Sequence, residues 1–150
     1  MIELHKLSNK CKYALRAVFE LSLRVSSFPV KIHQIAESQQ IPSRFLEVIL
    51  AELKQGGFVE SRRGKEGGYI LAKRANNLTV GDIISFIHSN GDNGSLAEQD
   101  KTDLIGSYAF SKLWQSVSKA VADIYNNTTF ADLVEEELAK RKKYVSNYVI

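Results

Sequence analysis

The chain has 150 residues, 44% apolar and 25% charged, which is enough for one packed domain with an appendage and too apolar for a disordered chain. Its single cysteine, Cys11, excludes an internal disulfide framework, a four-cysteine zinc site and a cluster held by the cysteines of one chain. The net charge of +3 is unevenly spread, with 13 Lys and Arg against 7 Asp and Glu in residues 1–75, and 7 against 10 in residues 76–150.

In chain order, Met1–Lys12 is polar, without the apolar stretch of a secretory signal. No apolar run is long enough to span a membrane, so the expected compartment is a reducing cytoplasm. Asn9 to Arg24 reads as an amphipathic helix, with Tyr13, Ala14, Ala17, Val18, Leu21 and Val25 at three- and four-residue spacing. Ser8 or Asn9 can cap it, and Pro29 prevents its continuation. A short helix with Ile32, Ile35 and Ala36 on one side precedes the break Gln39-Gln40-Ile41-Pro42. A second short helix starts near Pro42 and runs to Gln55, ended by Gly56-Gly57. Phe58–Arg63 and Tyr69–Lys73 then fit two extended segments joined by Gly64-Lys65-Glu66-Gly67-Gly68.

Thr79 to Asp82 resembles a capping box opening a helix whose apolar face is Val80, Ile83, Ile84 and Ile87. Ser89–Asp103 is a polar loop. From Leu104 a helical stripe persists through Ile105, Ala109, Phe110, Leu113, Trp114, Val117, Ala120, Val121, Ile124 and Tyr125. About 22 residues at 1.5 Å each span roughly 33 Å. Thr129 to Asp132 is a second capping box, opening a short last helix with Leu133, Val134 and Leu138. Lys140-Arg141-Lys142-Lys143 suits the C-terminal end of that helix, where cations complement the dipole. The apolar end at Tyr144-Val145 and Tyr148–Ile150 is expected to pack on a partner subunit.

The order of short helix, tight turn, short helix and glycine-tipped hairpin is that of a winged helix-turn-helix. At about 100° per residue, Phe45, Leu46, Ile49, Leu50 and Leu53 fall on one arc of the second short helix. Arg44, Glu47, Val48, Ala51 and Gln55 fall on the other. That second arc suits a major groove: arginine can reach guanine, glutamate can accept from cytosine, and Val48 or Ala51 can touch a thymine methyl. Packing of Val48 and Ala51 on a neighbouring loop is the alternative. Arg62-Arg63-Gly64-Lys65 puts three cations at the hairpin tip, where they can enter a narrow minor groove. Lys10, Lys12 and Arg16 can add phosphate contacts, which give affinity without sequence information. The basic front half agrees with a nucleic-acid partner, although scattered surface cations would give the same count.

No Ser or Cys nucleophile pairs with a His in a recognisable arrangement, and no phosphate-cradling motif precedes a helix, so an enzyme is not expected. His5, His33 and His88 lack metal-ligand spacing, and no cofactor is expected.

Several short segments fall in a familiar order. They are Leu7-Ser8, Lys12-Tyr13-Ala14-Leu15-Arg16-Ala17, Ile35-Ala36, Ile41-Pro42, Phe45-Leu46-Glu47 and Ile49-Leu50. Leu53, Gly57, Val59-Glu60-Ser61, Arg63-Gly64, Gly67-Gly68-Tyr69 and Leu71-Ala72 follow, then Leu78–Ile83 and Thr128–Leu133. The set resembles the Rrf2 family of bacterial winged-helix transcription regulators over most of the chain. Its most specific part is the wing from Arg63-Gly64 to Tyr69.

The resemblance implies a mainly α fold: a winged helix-turn-helix with a two-stranded wing, a long dimerisation helix and a short C-terminal helix. Residues 1–88 would read DNA, 89–103 form a loop, and 104–150 carry dimerisation. It further implies a homodimer acting on a palindromic double-stranded DNA operator, with Ser43–Lys54 as recognition helix and Arg63 as the minor-groove arginine. Leu104, Phe110, Leu113, Trp114, Val117, Val121 and Ile124 would form the dimer stripe. A winged-helix protein–protein module without DNA binding is the alternative, opposed by the retained Arg44, Arg63 and Lys65. Cluster-binding members of the family carry three cysteines in the loop that here is Ser89–Asp103, which has no Cys and no His. This chain therefore resembles the cluster-free type. Cys11 is expected to be a structural thiol, and the controlling signal a regulatory partner protein, a small-molecule effector or thiol oxidation.

Overall fold

Ser8 caps the first helix, α1 (Asn9–Leu23), its hydroxyl accepting the Cys11 N–H at 3.1 Å in the computed structural model. The structure describes residues 6–24, 28–91 and 104–148, with side chains through Lys142. Val25 and the loop's 92–103 stretch therefore lie outside the described residues, as do the side chains of the C-terminal apolar end. Cys11, Ala14, Ala17, Val18 and Leu21 form the buried face of α1. The small residues let α2 (Ile32–Gln39) and α3 (Ser43–Gln55) pack closely across it.

Between α2 and α3 the chain turns at Gln40, whose φ of 51° is left-handed, and the Ile41 N–H donates back to the Ala36 carbonyl at 3.0 Å. Glu20 holds this corner to α1. Its carboxylate is buried and accepts from Gln39 Nε2 at 2.7 Å and Arg24 Nε at 2.8 Å. β1 (Val59–Arg62) and β2 (Gly68–Leu71) form one antiparallel hairpin, with Val59 opposite Leu71 and Arg62 opposite Gly68. Its strands are shorter than the expected extended segments. A short 3-10 turn, Ala75–Asn77, leads to α4 (Val80–Ser89), followed by α5 (Ser107–Asn127) and α6 (Phe130–Tyr148).

Both expected capping boxes form: Thr79 with Asp82 and Thr129 with Asp132, each with two reciprocal hydrogen bonds of 3.0 Å. They lie side by side, because the Val80 N–H donates to Thr128 and the Phe130 N–H to Leu78. The starts of α4 and α6 are thereby joined, and Phe130 enters the core with Leu78, Ile83 and Val18, fully buried. The segment from Leu104 onward, expected as one dimerisation unit, thus divides. α6 returns to pack on α1, while α5 has no buried residue along its whole length. α5 meets α4 at Gly81, where a Cβ would collide with Asn126 Oδ1.

The last helix departs from expectation. It spans 19 residues rather than being short, so Lys140-Arg141-Lys142-Lys143 lies in its interior and not at its C-terminal turn. The run is too polar to register as part of an apolar stripe, yet Lys and Arg are good helix formers and continue the helix.

Phe130→Ala is expected to cost about 3–5 kcal/mol, because it empties a fully buried aromatic site joining three helices. Urea unfolding checks this, and a midpoint near that of the native chain would contradict it. Glu20 gives an acid-limb prediction. Burial raises its pKa, but hydrogen bonds from Gln39, Arg24 and Ser38 outweigh burial and set it below the ordinary 4.5. Its contribution is therefore complete above the unfolded value and lost as pH falls through the lower folded value. Glu20→Gln should lower stability at neutral pH and flatten its decline below about pH 4.5, as measured by unfolding across that range.

Candidate nucleic-acid interface

α3 is held by one face and presents another. Leu46, Ile49, Leu50 and Leu53 are buried, each with almost no exposed surface. Ser43, Arg44, Glu47, Val48 and Ala51 face solvent, Val48 being 54% exposed. Phe45 corrects the helical projection, which put it on the buried arc: it is 60% exposed. It lies about 90° from the centre of the buried stripe, on the edge toward α1, where its ring is 6.4 Å from that of Tyr13. An apolar group standing out beside Arg44 and Val48 adds a surface for thymine methyls. Only its offset from the Leu46–Leu53 stripe could have signalled this.

The same edge of α3 is tied to α1 by an ion pair. Lys10 Nζ lies 2.9 Å from Glu52 Oε1, while Glu52 Oε2 is shielded and unpaired among the described residues. Lys10 thus spends its charge on orienting α3. Lys12 sits about 160° around α1 from Lys10. It lines a groove with Arg16, Lys140 and Arg141, between α1 and α6. The two lysines expected together as phosphate contacts therefore stand on opposite flanks of their helix.

The wing is anchored at its base and free at its tip. Val30 and Tyr69 exchange two backbone hydrogen bonds of 2.8 Å, fastening β2 to the chain entering α2. At the tip, Arg63, Gly64 and Lys65 are exposed, and Gly64 has a φ of +106°, which a side chain rarely adopts. Arg62 forms an exposed contact of 3.4 Å with Glu60, worth about 0–1 kcal/mol. Arg44, Arg63 and Lys65 make no ion pair among the described residues, and their charge is directed outward. Between the wing and α3 runs an open cleft of about 490 Å³, lined by Lys31, His33, Ser43, Glu47, Arg62 and Tyr69. Lys31 and His33 open α2, and no motif in the sequence singles them out for this cleft. Their only signal is position, at the start of the helix that precedes α3.

The expected dimer stripe is also displayed. Phe110 is 54% exposed, Trp114 51% and Ile124 65%; Leu104 and Leu113 are exposed as well, while Val117 and Val121 are half-buried. Phe110 and Trp114 stack with ring centroids 6.1 Å apart. At about 100° per residue, Phe110, Leu113, Val117 and Ile124 fall within roughly 60° of arc, beside but distinct from the side facing α4.

Comparison with known proteins agrees with this geometry. The model of the Rrf2 family, described as an iron-dependent transcriptional regulator, matches residues 7–136. The HTH-type transcriptional regulator IscR of Pectobacterium atrosepticum is 31% identical over 132 residues, covering 88% of this chain and 80% of the relative. Among solved structures, IscR from T. potens superposes with a TM-score of 0.73 at 33% identity, covering 89% of this chain and 88% of that one. CymR, the global cysteine regulator of B. subtilis, superposes with a TM-score of 0.73 at 29% identity, covering 88% and 98%. These relatives regulate transcription and are not enzymes. With its helix-turn-helix, wing and matched length, the chain belongs to the Rrf2 family of winged-helix, DNA-binding transcriptional regulators.

Proposed function

We propose that the protein acts as a homodimer on a palindromic operator, inserting α3 into the major groove and Arg63 into the flanking minor groove. The observation that carries this reading is the division of α3: four buried residues hold it, and a mixed cationic, acidic and apolar arc faces out beside an uncovered cationic wing. The bare apolar arc of α5 supports the dimer, since a contiguous exposed patch of this kind marks an interface. A two-fold axis through paired α5 helices would set the two α3 helices about one DNA turn apart, roughly 34–36 Å, or a multiple of it. Repression is the simpler mode, because a dimer covering its operator excludes polymerase without further contacts. Lys31 and His33 join the phosphate-facing set, and Lys10 acts on DNA through the position it gives α3.

The family's description names iron, but the donor set of this chain does not fit a cysteine-held cluster. Its one cysteine is fully buried in the core, and among the described residues no three His, Cys, Asp or Glu side chains converge. No step of the proposed mechanism therefore runs through iron. Protein purified without oxygen should be colourless; a visible band with stoichiometric iron would contradict this.

Selection of bound fragments from genomic DNA tests the whole reading, by yielding two inverted half-sites one helical turn apart or a multiple of it. On the selected site, Arg63→Ala should weaken binding on the order of 10–100-fold. Phe45→Ala should weaken it about tenfold and change stability by less than about 1 kcal/mol, since the ring is exposed. Titrations at several salt concentrations and thermal melts measure both, and an unchanged isotherm for Arg63→Ala would remove the wing from the interface. Leu113→Glu should leave the helical content intact and shift the sedimenting species from dimer to monomer, with DNA affinity falling steeply. A native-like sedimentation profile for this variant would refute α5 as the dimer helix.

A further inference from the structure

Lys140-Arg141-Lys142-Lys143 lies inside α6, which continues to Tyr148, so the helix dipole does not account for the run. Lys140 and Arg141 are exposed and line a groove of about 850 Å³ between α1 and α6. Lys12 and Arg16, also exposed, line it from α1. These two are four residues apart, a spacing at which like charges repel on a helix. Lys12, Arg16 and Lys140 make no ion pair among the described residues. Two carboxylates, Glu136 and Glu137, line the groove as well, and Glu137 lies 3.5 Å from Arg141. Three cations without an ion pair therefore stand against the single carboxylate of Glu136, and the groove keeps a positive surplus.

This tract adjoins α3. Around α1, at about 100° per residue, Arg16 stands between Lys12, about 40° away, and Tyr13, about 60° away. The Tyr13 ring is 6.4 Å from that of Phe45, on the exposed edge of α3. From α3 the surface thus passes over Tyr13 to Arg16 and Lys12, and across the groove to Lys140 and Arg141. Gln39, which lines the groove too, stands just before the turn that opens α3 at Ser43. Half-buried Leu15, Phe19 and Leu133 line the groove between the charges. Surfaces of that kind are covered by the methylene stems of lysine and arginine while their heads stay in water. A band of cations continuous with the outward arc of α3 fits an extended polyanion, whose phosphates recur at regular spacing, better than a compact anion.

We propose that the α1–α6 flank is a second DNA contact, which takes the phosphate backbone of duplex lying outside the half-site read by α3. Lys12, Arg16 and Lys140 meet phosphates directly. Arg141 joins them by giving up its exposed contact with Glu137, which is a weak one. Glu136 opposes the approach and sets its limit. Contacts of this kind carry no sequence information, so they add affinity and salt dependence without altering the half-site. In a dimer they lengthen the covered DNA at both ends of the operator. The inference rests on the DNA-binding reading above and extends it from the base-reading surface to a flank that α6 completes.

The test titrates the full-length chain with two duplexes, one ending at the selected half-sites and one carrying a further helical turn of arbitrary sequence on each side. The native chain should bind the longer duplex about tenfold more tightly, with a steeper dependence of log affinity on log salt. The double variant Lys140→Gln with Arg141→Gln, at two exposed positions, should lose most of that gain. Its salt slope on the longer duplex should fall by roughly 1–2, about one for each phosphate contact removed. Its affinity for the shorter duplex should stay within about twofold of the native value, because no base contact changes. Glu136→Gln should strengthen the longer complex several-fold. Hydroxyl-radical cleavage should show backbone protection beyond the half-sites with the native chain and none there with the double variant. Equal native affinities for the two duplexes, or equal losses on both in the double variant, would overturn the flank contact. A double variant that sediments as a monomer would assign the groove to a second copy of the chain and overturn it as well. A native chain that binds neither duplex would count instead against the DNA-binding reading itself.

Discussion

The surface proposed to face DNA depends on how α3 is clamped. Leu46, Ile49, Leu50 and Leu53 are sunk in the core, and burying side chains of this size contributes about 1.5–3 kcal/mol each. With that stripe fixed, the helix cannot rotate, and Arg44, Glu47, Val48 and Ala51 must face outward together. The Lys10–Glu52 pair and the Tyr13–Phe45 contact fix the α1 edge of the same helix. The wing inherits its position from the neighbouring backbone, since Tyr69 is bonded to Val30 at the entrance to α2. Reading surface and core are two sides of one packing arrangement.

The second half of the chain does two opposite things with similar helices. α6 begins beside α4, and Phe130 enters the core there, so it belongs energetically to the reading domain. α5 lies between these two anchored points and keeps its apolar arc bare. A helix tethered at its α4-facing side and uncovered elsewhere is suited to joining two copies while remaining adjustable. Gly81 makes this joint close, because a larger residue would force α4 and α5 apart.

Cys11 shows how burial decides the role of a residue that composition alone leaves open. The sequence favours a structural thiol, with a redox switch left open only by the nearby helix start and a lysine on each side. In the fold it lies fully buried on the core face of α1, and its neighbouring lysines point elsewhere: Lys10 to Glu52, and Lys12 to the groove beside α6. It therefore packs as a small hydrophobe.

The sequence by itself determined the helix order, both capping boxes, the glycine-tipped hairpin, the outward-facing residues of α3 and the apolar stripe of α5. These are local features: short-range periodicity, turn chemistry and side-chain capping depend on residues only a few positions apart. The tertiary structure decided what depends on distant neighbours. It turned Phe45 outward, because the edge of an arc is buried or exposed only by what packs against it. It separated Lys10 from Lys12, because Glu52 and α6 lie on opposite sides of α1. It carried the last helix through its basic run and returned Phe130 to the core. It also brought Gly81 of α4 against Asn126 of α5, residues far apart in the chain, a proximity that no spacing in the sequence encodes.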